Sequence, residues 1–302
     1  MNKVAVIGSA NTDMVVKTAR FPNPGETVLG GQFFMFPGGK GANQAVAAAR
    51  IGADVQFFCA LGDDTFGDQA VFGYQQEGIR TNAIYRVPET ASGIALITVN
   101  ENGENEIVVA PGANSKLNES YLSQHLNLLK QASLVLAQLE IPIATISFLA
   151  SYCQSRNIPL ILNPAPAQPL QVEILNGLYA ITPNQSEAEL LTGIKIEDLL
   201  TAEASAKILR DLGVKNVVIT LGKAGALYLG EEGSFHEEAP IVQAVDTTAA
   251  GDVFNGVLAT TLASGLGWKK SIQRANSAAA LSVTRMGAQS SAPFLKELPS
   301  NF

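Results

Sequence analysis

The chain has 302 residues, about two domains by length alone, although single α/β domains often reach this size. With 47% hydrophobic and 16% charged residues it has the composition of an ordinary globular protein and not of a disordered one. A net charge of −7 and a pI near 5.0 argue against a nucleic-acid binder, which needs clustered Lys and Arg, and against an anionic membrane surface. Cys59 and Cys153 lie far apart and fit no metal or redox spacing; both read as buried thiols of a reducing compartment. The first apolar run, 4–7, is too short for a signal peptide, and no stretch reaches the ~18 apolar residues of a membrane span. A soluble cytoplasmic protein is expected.

The chain opens with a strand, KVAVIGS, followed by an irregular stretch over 11–37 rich in Pro, Gly and aromatics. An alanine-rich helix over 40–51 stops at Gly52, a strand over 54–60 follows, and a helix over 65–77 ends at Gly78. Three short strand-like runs come next, near 82–87, 93–99 and 105–110; Asn102-Gly103-Glu104 between the last two reads as a hairpin turn. From 118 onward helices (118–130, 142–156, 184–192, 202–212) are interleaved with apolar strands (133–139, 158–162, 178–182, 216–221). Two small-residue helices over 251–264 and 268–284 close the chain. This alternation predicts a mostly parallel sheet covered by helices on both faces. The hairpin material of 14–37 and 92–112 does not fit it and is expected to form a small sheet lying over the main one, within a single domain spanning 1–302.

In such sheets ligands bind beyond the carboxyl ends of the strands. Polar groups follow successive apolar runs: Glu140 after SLVLAQL, Asn163 after IPLIL, Asn184 after LYAIT, the stretch 221–225 after NVVIT, and Asp246 after IVQAV. Each is singly explained as a turn; together they suggest one ligand-binding edge. In DTTAAGDVFNG, Gly251 and the alanines let the backbone turn tightly before a helix. The amides of Ala249, Ala250, Gly251 and Asp252 could then hold an anion, and Asp252 could take a proton from a substrate hydroxyl. An ordinary Asp-initiated helix explains the same run. In GGKGANQA, glycines 38, 39 and 41 allow close ligand approach, Asn43 could bond sugar hydroxyls, and Lys40 could face phosphate or solvent; a glycine-rich turn before a helix is the simpler alternative. Asn184 and Glu187 have capping-box spacing, and could also lie near nucleotide phosphates and, through water, a nucleotide-bound Mg²⁺. TLGKAG suits a nucleotide contact or a plain turn. No P-loop motif is present, no G-x-G-x-x-G follows the first strand, and His125 and His236 form no cluster.

Taken together, GGKGAN with the later Gly52 and Gly62, and DTTAAGD, make the chain resemble the ribokinase, or phosphofructokinase-B, family of carbohydrate kinases over essentially its whole length. SANTD, FPNPGET, QLEIP, LNPAPA, ITPNQSEAE and TRMGAQSS resemble the ribose-phosphorylating members. The resemblance implies a three-layer fold with a β-sheet lid and the reaction of ATP with D-ribose at O5. By it, Asn11, Asp13, Gly39, Lys40, Gly41, Asn43 and Glu140 would bind ribose. Asp252 would be the base, with Ala249, Ala250 and Gly251 forming the anion hole. Asn184, Glu187, Thr220, Gly222, Gly225, Gly251 and Asn276 would serve the ATP site with Mg²⁺. Asp246, Thr248, Ser282, Arg285, Gly287 and Ser291 would hold a monovalent cation, usually K⁺, largely through backbone carbonyls. Val257 and Asn276 depart from the family pattern, where a smaller residue and a histidine are common, which bears only on nucleotide affinity. The apolar run Phe33, Phe34, Met35, Phe36 in the lid predicts pairing with a second lid, hence a homodimer. Another sugar or nucleoside as substrate, and a non-catalytic sugar-binding protein on the same fold, remain as alternatives.

Overall fold

The computed structural model describes residues 2–299. Its strands are β1 (Lys3–Ile7), β2 (Asn11–Lys17), β3 (Gln32–Gly38), β4 (Asp54–Gly62), β5 (Arg80–Val87), β6 (Gly93–Val99), β7 (Asn105–Ala110), β8 (Leu134–Ala137), β9 (Leu160–Leu162), β10 (Ala180–Ile181), β11 (Val217–Thr220), β12 (Ala226–Gly230) and β13 (Gly233–Glu237). Its helices are α1 (Lys40–Arg50), α2 (Thr65–Gln76), α3 (Glu119–Gln124), α4 (Leu126–Leu129), α5 (Ile143–Arg156), α6 (Val172–Leu175), α7 (Gln185–Thr192), α8 (Leu199–Asp211), α9 (Ala250–Ala263) and α10 (Trp268–Ser282).

Nine strands form the main sheet in the order β13-β12-β11-β10-β9-β8-β1-β4-β5. All its pairings are parallel except β11 with β12 and β12 with β13. The central strands are uninterrupted apolar runs because both faces are covered. Alternate residues of β1 show this directly. Val4 and Val6 join a core with α1, α9 and α10, whereas Ala5 and Ile7 join a second core with α5 and α8. Small residues let α1 and α9 approach closely. A methyl group at Gly256 of α9 would lie 2.6 Å from the Gln44 carbonyl of α1.

The second sheet has the order β3-β2-β6-β7, with β2 and β6 parallel and the outer pairs antiparallel. The expected small sheet therefore exists, with the 102–103 turn joining its β6–β7 hairpin. Its register sorts the aromatic run into two faces, because successive strand residues point opposite ways. Phe34 and Phe36 share the face of Asn11 and Asp13, and Phe33 and Met35 share the other with Met14, Leu96 and Val108.

Four sequence readings are corrected. The stretch 11–37 is not irregular throughout, since β2 and β3 occupy its ends. The β12–β13 hairpin extends the sheet edge over 226–237, for which no strand was expected. The helix over 118–130 breaks at His125, whose φ of −118° leaves the helical region. IVQAV is not a strand: after β13 the chain leaves the sheet, and the Val245 and Asp246 amides bond the Val283 carbonyl instead. Asp246 thus follows a loop and not a strand end. No helix of the described residues is long and apolar enough to cross a membrane.

Candidate active site

Helix α9 begins after Ala249, which adopts φ 60° and provides no side-chain cap. Asp252 is therefore the third helical residue; the Ala250 amide reaches the Thr247 carbonyl at 3.3 Å, while those of Gly251 and Asp252 have no intrahelical carbonyl to bond. Asp252 is buried. Its Oδ2 accepts from Asn43 Nδ2 at 3.0 Å and its Oδ1 from Gln44 Nε2 at 2.9 Å. Both donors lie on the first turns of α1. That helix can start where it does because Gly39 has φ 88° and its missing side chain clears the Ala10 and Asn11 backbone by a margin no methyl group would allow. The Ala42 amide then bonds Ser9 O, docking α1 onto the β1–β2 connection.

Glu140, just beyond β8, accepts from Ser9 Oγ at 2.5 Å and from the Lys40 amide at 3.0 Å. Asp13 reaches the same space from the second sheet. Burial pushes its carboxyl up to about 6, with further pressure from Glu140 and Asp252 and relief from Lys40. Burial also raises Asp252, against the opposing pull of Lys40 and the two amides. Burial alone would lower the Lys40 ammonium, but Asp252, Glu140, Glu187 and Asp13 outweigh it and hold the group above its ordinary value. Four carboxylates thus act on one ammonium, and together they offer acceptors for ligand hydroxyls and a buried carboxyl group that could take a proton. Asn43 Oδ1 is buried with no partner among the described residues, an acceptor fitted to a ligand hydroxyl. Asn11 Oδ1 accepts from Asn114 Nδ2 at 2.7 Å, and Asn114 is itself bonded to both backbone groups of Ala10.

A second group of residues follows β10 and β11. Asn184 and Glu187 form a complete capping box on α7: Asn184 Oδ1 accepts the Glu187 amide, and a Glu187 carboxylate oxygen accepts the Asn184 amide, each at 2.9 Å. Glu187 is buried, which raises its carboxyl. Asn184 pairs with Thr220 in a parallel bridge. Gly222 and Gly225 have φ of 58° and 93°, and a methyl group on Gly225 would collide with the Glu237 carbonyl. Asn276 is buried on α10 with its amide nitrogen on the Glu237 and Glu238 carbonyls, so it supports the chain leaving β13.

A third group joins the 246–248 loop to the chain after α10. Asp246 accepts the amides of Thr248 at 2.9 Å and Gly287 at 2.8 Å, and its carboxyl is held below the ordinary range by these bonds against partial burial. Ser282 and Ser291 are buried nearby in sequence, and the Arg285 side chain is spent on Glu297, leaving only its backbone for a ligand. The donors available are oxygens only, which suits a hard cation.

Sequence reading missed six buried polar residues here: Ser9, Gln44, Asn114, Gln138, Thr182 and Asn255. Gln44 stood inside GGKGANQA, but nothing in a helical periodicity distinguishes a glutamine that faces a carboxylate from one that faces solvent.

Residues 1–295 match the model of the pfkB family of carbohydrate kinases. The chain is 42% identical over 294 residues to the ribokinase of Haemophilus influenzae, covering 97% of this chain and 96% of that protein. It is 41% identical over 298 residues to the ribokinase of Bacillus subtilis, covering 99% and 98%. Among solved structures, an Arabidopsis thaliana ribokinase complexed with ribose and ATP superposes with a TM-score of 0.91 at 30% identity, covering 97% of this chain and 96% of that one.

Proposed function

The chain belongs to the pfkB family of carbohydrate kinases, and from that premise we propose that it transfers the γ-phosphoryl group of ATP to O5 of D-ribose. The observation that carries this reading is the buried Asp252 carboxylate, fixed at the start of α9 beside a cluster of sugar-suited polar groups. Ribose would lie between the second sheet and α1. Asn11, Asp13, Gly39, Lys40, Gly41, Asn43 and Glu140 supply paired acceptors and donors for its hydroxyls. Asp252 takes the proton of the 5-hydroxyl as O5 forms its bond to the γ-phosphorus. The bond from that phosphorus to the bridging oxygen breaks, its electron pair leaves with ADP, and the proton on Asp252 passes to water. The amides of Ala249, Ala250, Gly251 and Asp252 face the charge that builds on the transferring group.

ATP would bind along Asn184, Thr220, Gly222, Gly225 and Asn276, bringing Mg²⁺ on its phosphates. Glu187 has one carboxylate oxygen in the capping box, and the other can serve that ion through water. A bound monovalent cation, K⁺ by charge and donor type, would be held by Asp246 and Thr248 with the backbone of Ser282, Arg285, Gly287 and Ser291. Bound there, it supplies positive charge behind the anion hole. The second sheet acts as a lid that excludes water from the phosphoryl group. Its face of Phe33, Met35, Leu96 and Val108 supports a homodimer paired lid to lid, and two free buried thiols suit the cytoplasm.

A panel of D-ribose, 2-deoxyribose, fructose and adenosine, assayed for ADP release with and without K⁺, tests this reading. D-ribose should give the highest kcat/KM, and K⁺ should raise it. A better rate with another member of the panel would displace ribose, and no turnover with any would displace the kinase.

A further inference from the structure

Gln44 lies fully buried on α1 and is not itself among the residues proposed to contact sugar or nucleotide. Its hydrogen bonds form a directed chain. Asn163 Nδ2 donates to the Thr182 carbonyl at 3.1 Å. A backbone carbonyl can only accept, so this contact fixes which end of the Asn163 amide is which. Asn163 Oδ1 must then accept, and it does so from Gln44 Nε2 at 3.0 Å. The same nitrogen donates to Asp252 Oδ1 at 2.9 Å. Gln44 Oε1 faces the other way and accepts from Gln138 Nε2 at 2.6 Å. A parallel branch runs from Thr182 Oγ1 to Asn255 Oδ1 at 2.6 Å, and from Asn255 Nδ2 to the Gly251 carbonyl at 2.8 Å. The ends of β8, β9 and β10 therefore set the orientation of both the base and the turn that carries the anion-hole amides.

We propose that Gln44 is a positioning residue for phosphoryl transfer, whose donor end is locked by the Thr182–Asn163 relay and Gln138 so that it holds Asp252 in the rotamer that meets the acceptor hydroxyl. This rests on Asp252 being the base. Asn43 binds the other carboxylate oxygen but also has a free acceptor for a ligand, so it can exchange partners when sugar enters. Gln44 has no atom to spare, which makes it the constant half of the clamp. The charged groups around Asp252 are Lys40 on α1, Glu140 after β8, Asp13 on β2 and Glu187 on α7. Against that field the Gln44 bond favours the ionised carboxylate.

Gln44→Met keeps an unbranched chain of similar length and removes both polar ends. Its kcat should fall about 10- to 100-fold, a share of the ~10²–10⁴ that a positioned base supplies, with the sugar KM within about threefold. The acid limb of the kcat–pH profile should move to higher pH, because the charged form of Asp252 has lost a donor. In an Asp252→Asn background the same change should alter kcat by less than about twofold, since both act through one group. Gln44→Glu, which keeps the shape, should move the acid limb further by placing a carboxyl against Asp252. A folded Gln44→Met protein with wild-type kcat and pH profile would overturn the proposal, as would losses that multiply with those of Asp252→Asn. If Asp252→Asn is inactive while Gln44→Met is unaffected, only the role of Gln44 fails. If Asp252→Asn itself turns over normally, the assignment of the base fails with it.

Discussion

Asp252 is oriented and tuned by the same contacts: two side-chain amides hold its oxygens, and burial raises its proton affinity against the pull of Lys40. Replacing it by Asn keeps the shape and removes the acceptor. Asp252→Asn should lose at least about 10²-fold in kcat while calorimetric ribose affinity stays near wild type. Asp13 gives the pH signature. Its carboxyl rises from 3.8 to about 6 on folding, so the folded protein binds the proton more tightly than the unfolded chain does. The stability this contributes is present below pH ~4 and lost as pH rises through about 6. Asp13→Asn should therefore raise Tm at pH 7, with the gain vanishing below pH ~4. It should also weaken sugar binding, the opposite direction to its effect on stability. A variant that melts at the wild-type temperature at pH 7 would show that Asp13 is not under strain from burial.

At the scale of elements, the site depends on how closely α1 lies against α9. Gly256 sits under the Gln44 carbonyl, so Gly256→Ala must separate the helices or strain them. Denaturant unfolding should report a loss of about 1–3 kcal/mol, the ordinary cost of overpacking. Turnover should fall as well, because Asn43 and Gln44 move with α1. The helices and parallel strands of this architecture were legible in sequence because buried parallel strands are continuous apolar runs and the helices between them end at glycines such as Gly52 and Gly78. β2 and β3 were harder, because a largely exposed strand such as QFFMFPG runs its large apolar residues consecutively and shows no clean alternation. IVQAV had the composition of a strand, but the chain there leaves the sheet and the Val245 and Asp246 amides bond the Val283 carbonyl. Within the site, the residues that end strands or surround glycines could be read. Gln44, Asn114 and Asn255 could not, because their roles come from partners 208, 104 and 73 positions away.

The whole molecule pairs a nine-stranded sheet with a four-stranded second sheet, the proposed lid, which exposes large apolar side chains. Phe33 is 59% exposed and Val108 68%, on the face of the second sheet away from Asp13, and apolar side chains grouped in this way suit burial against a partner. Light scattering at assay concentration should give twice the 31.7 kDa chain mass, and Met35→Glu with Val108→Glu should return the monomer. A monomeric wild-type mass would refute lid-to-lid pairing. In the proposed reading the second sheet also brings Asp13 to the sugar, so the monomeric variant should show a raised ribose KM. In the proposed reaction the acceptor is the 5-hydroxyl of ribose, brought to Asp252 by the groups of the second sheet and of α1. Phosphorus–carbon coupled NMR of the product formed from ¹³C-ribose and ATP tests that most directly. Coupling of phosphorus to C5 through two bonds and to C4 through three is the predicted result, and coupling to C1, C2 or C3, or no phosphorylated sugar at all, would contradict it.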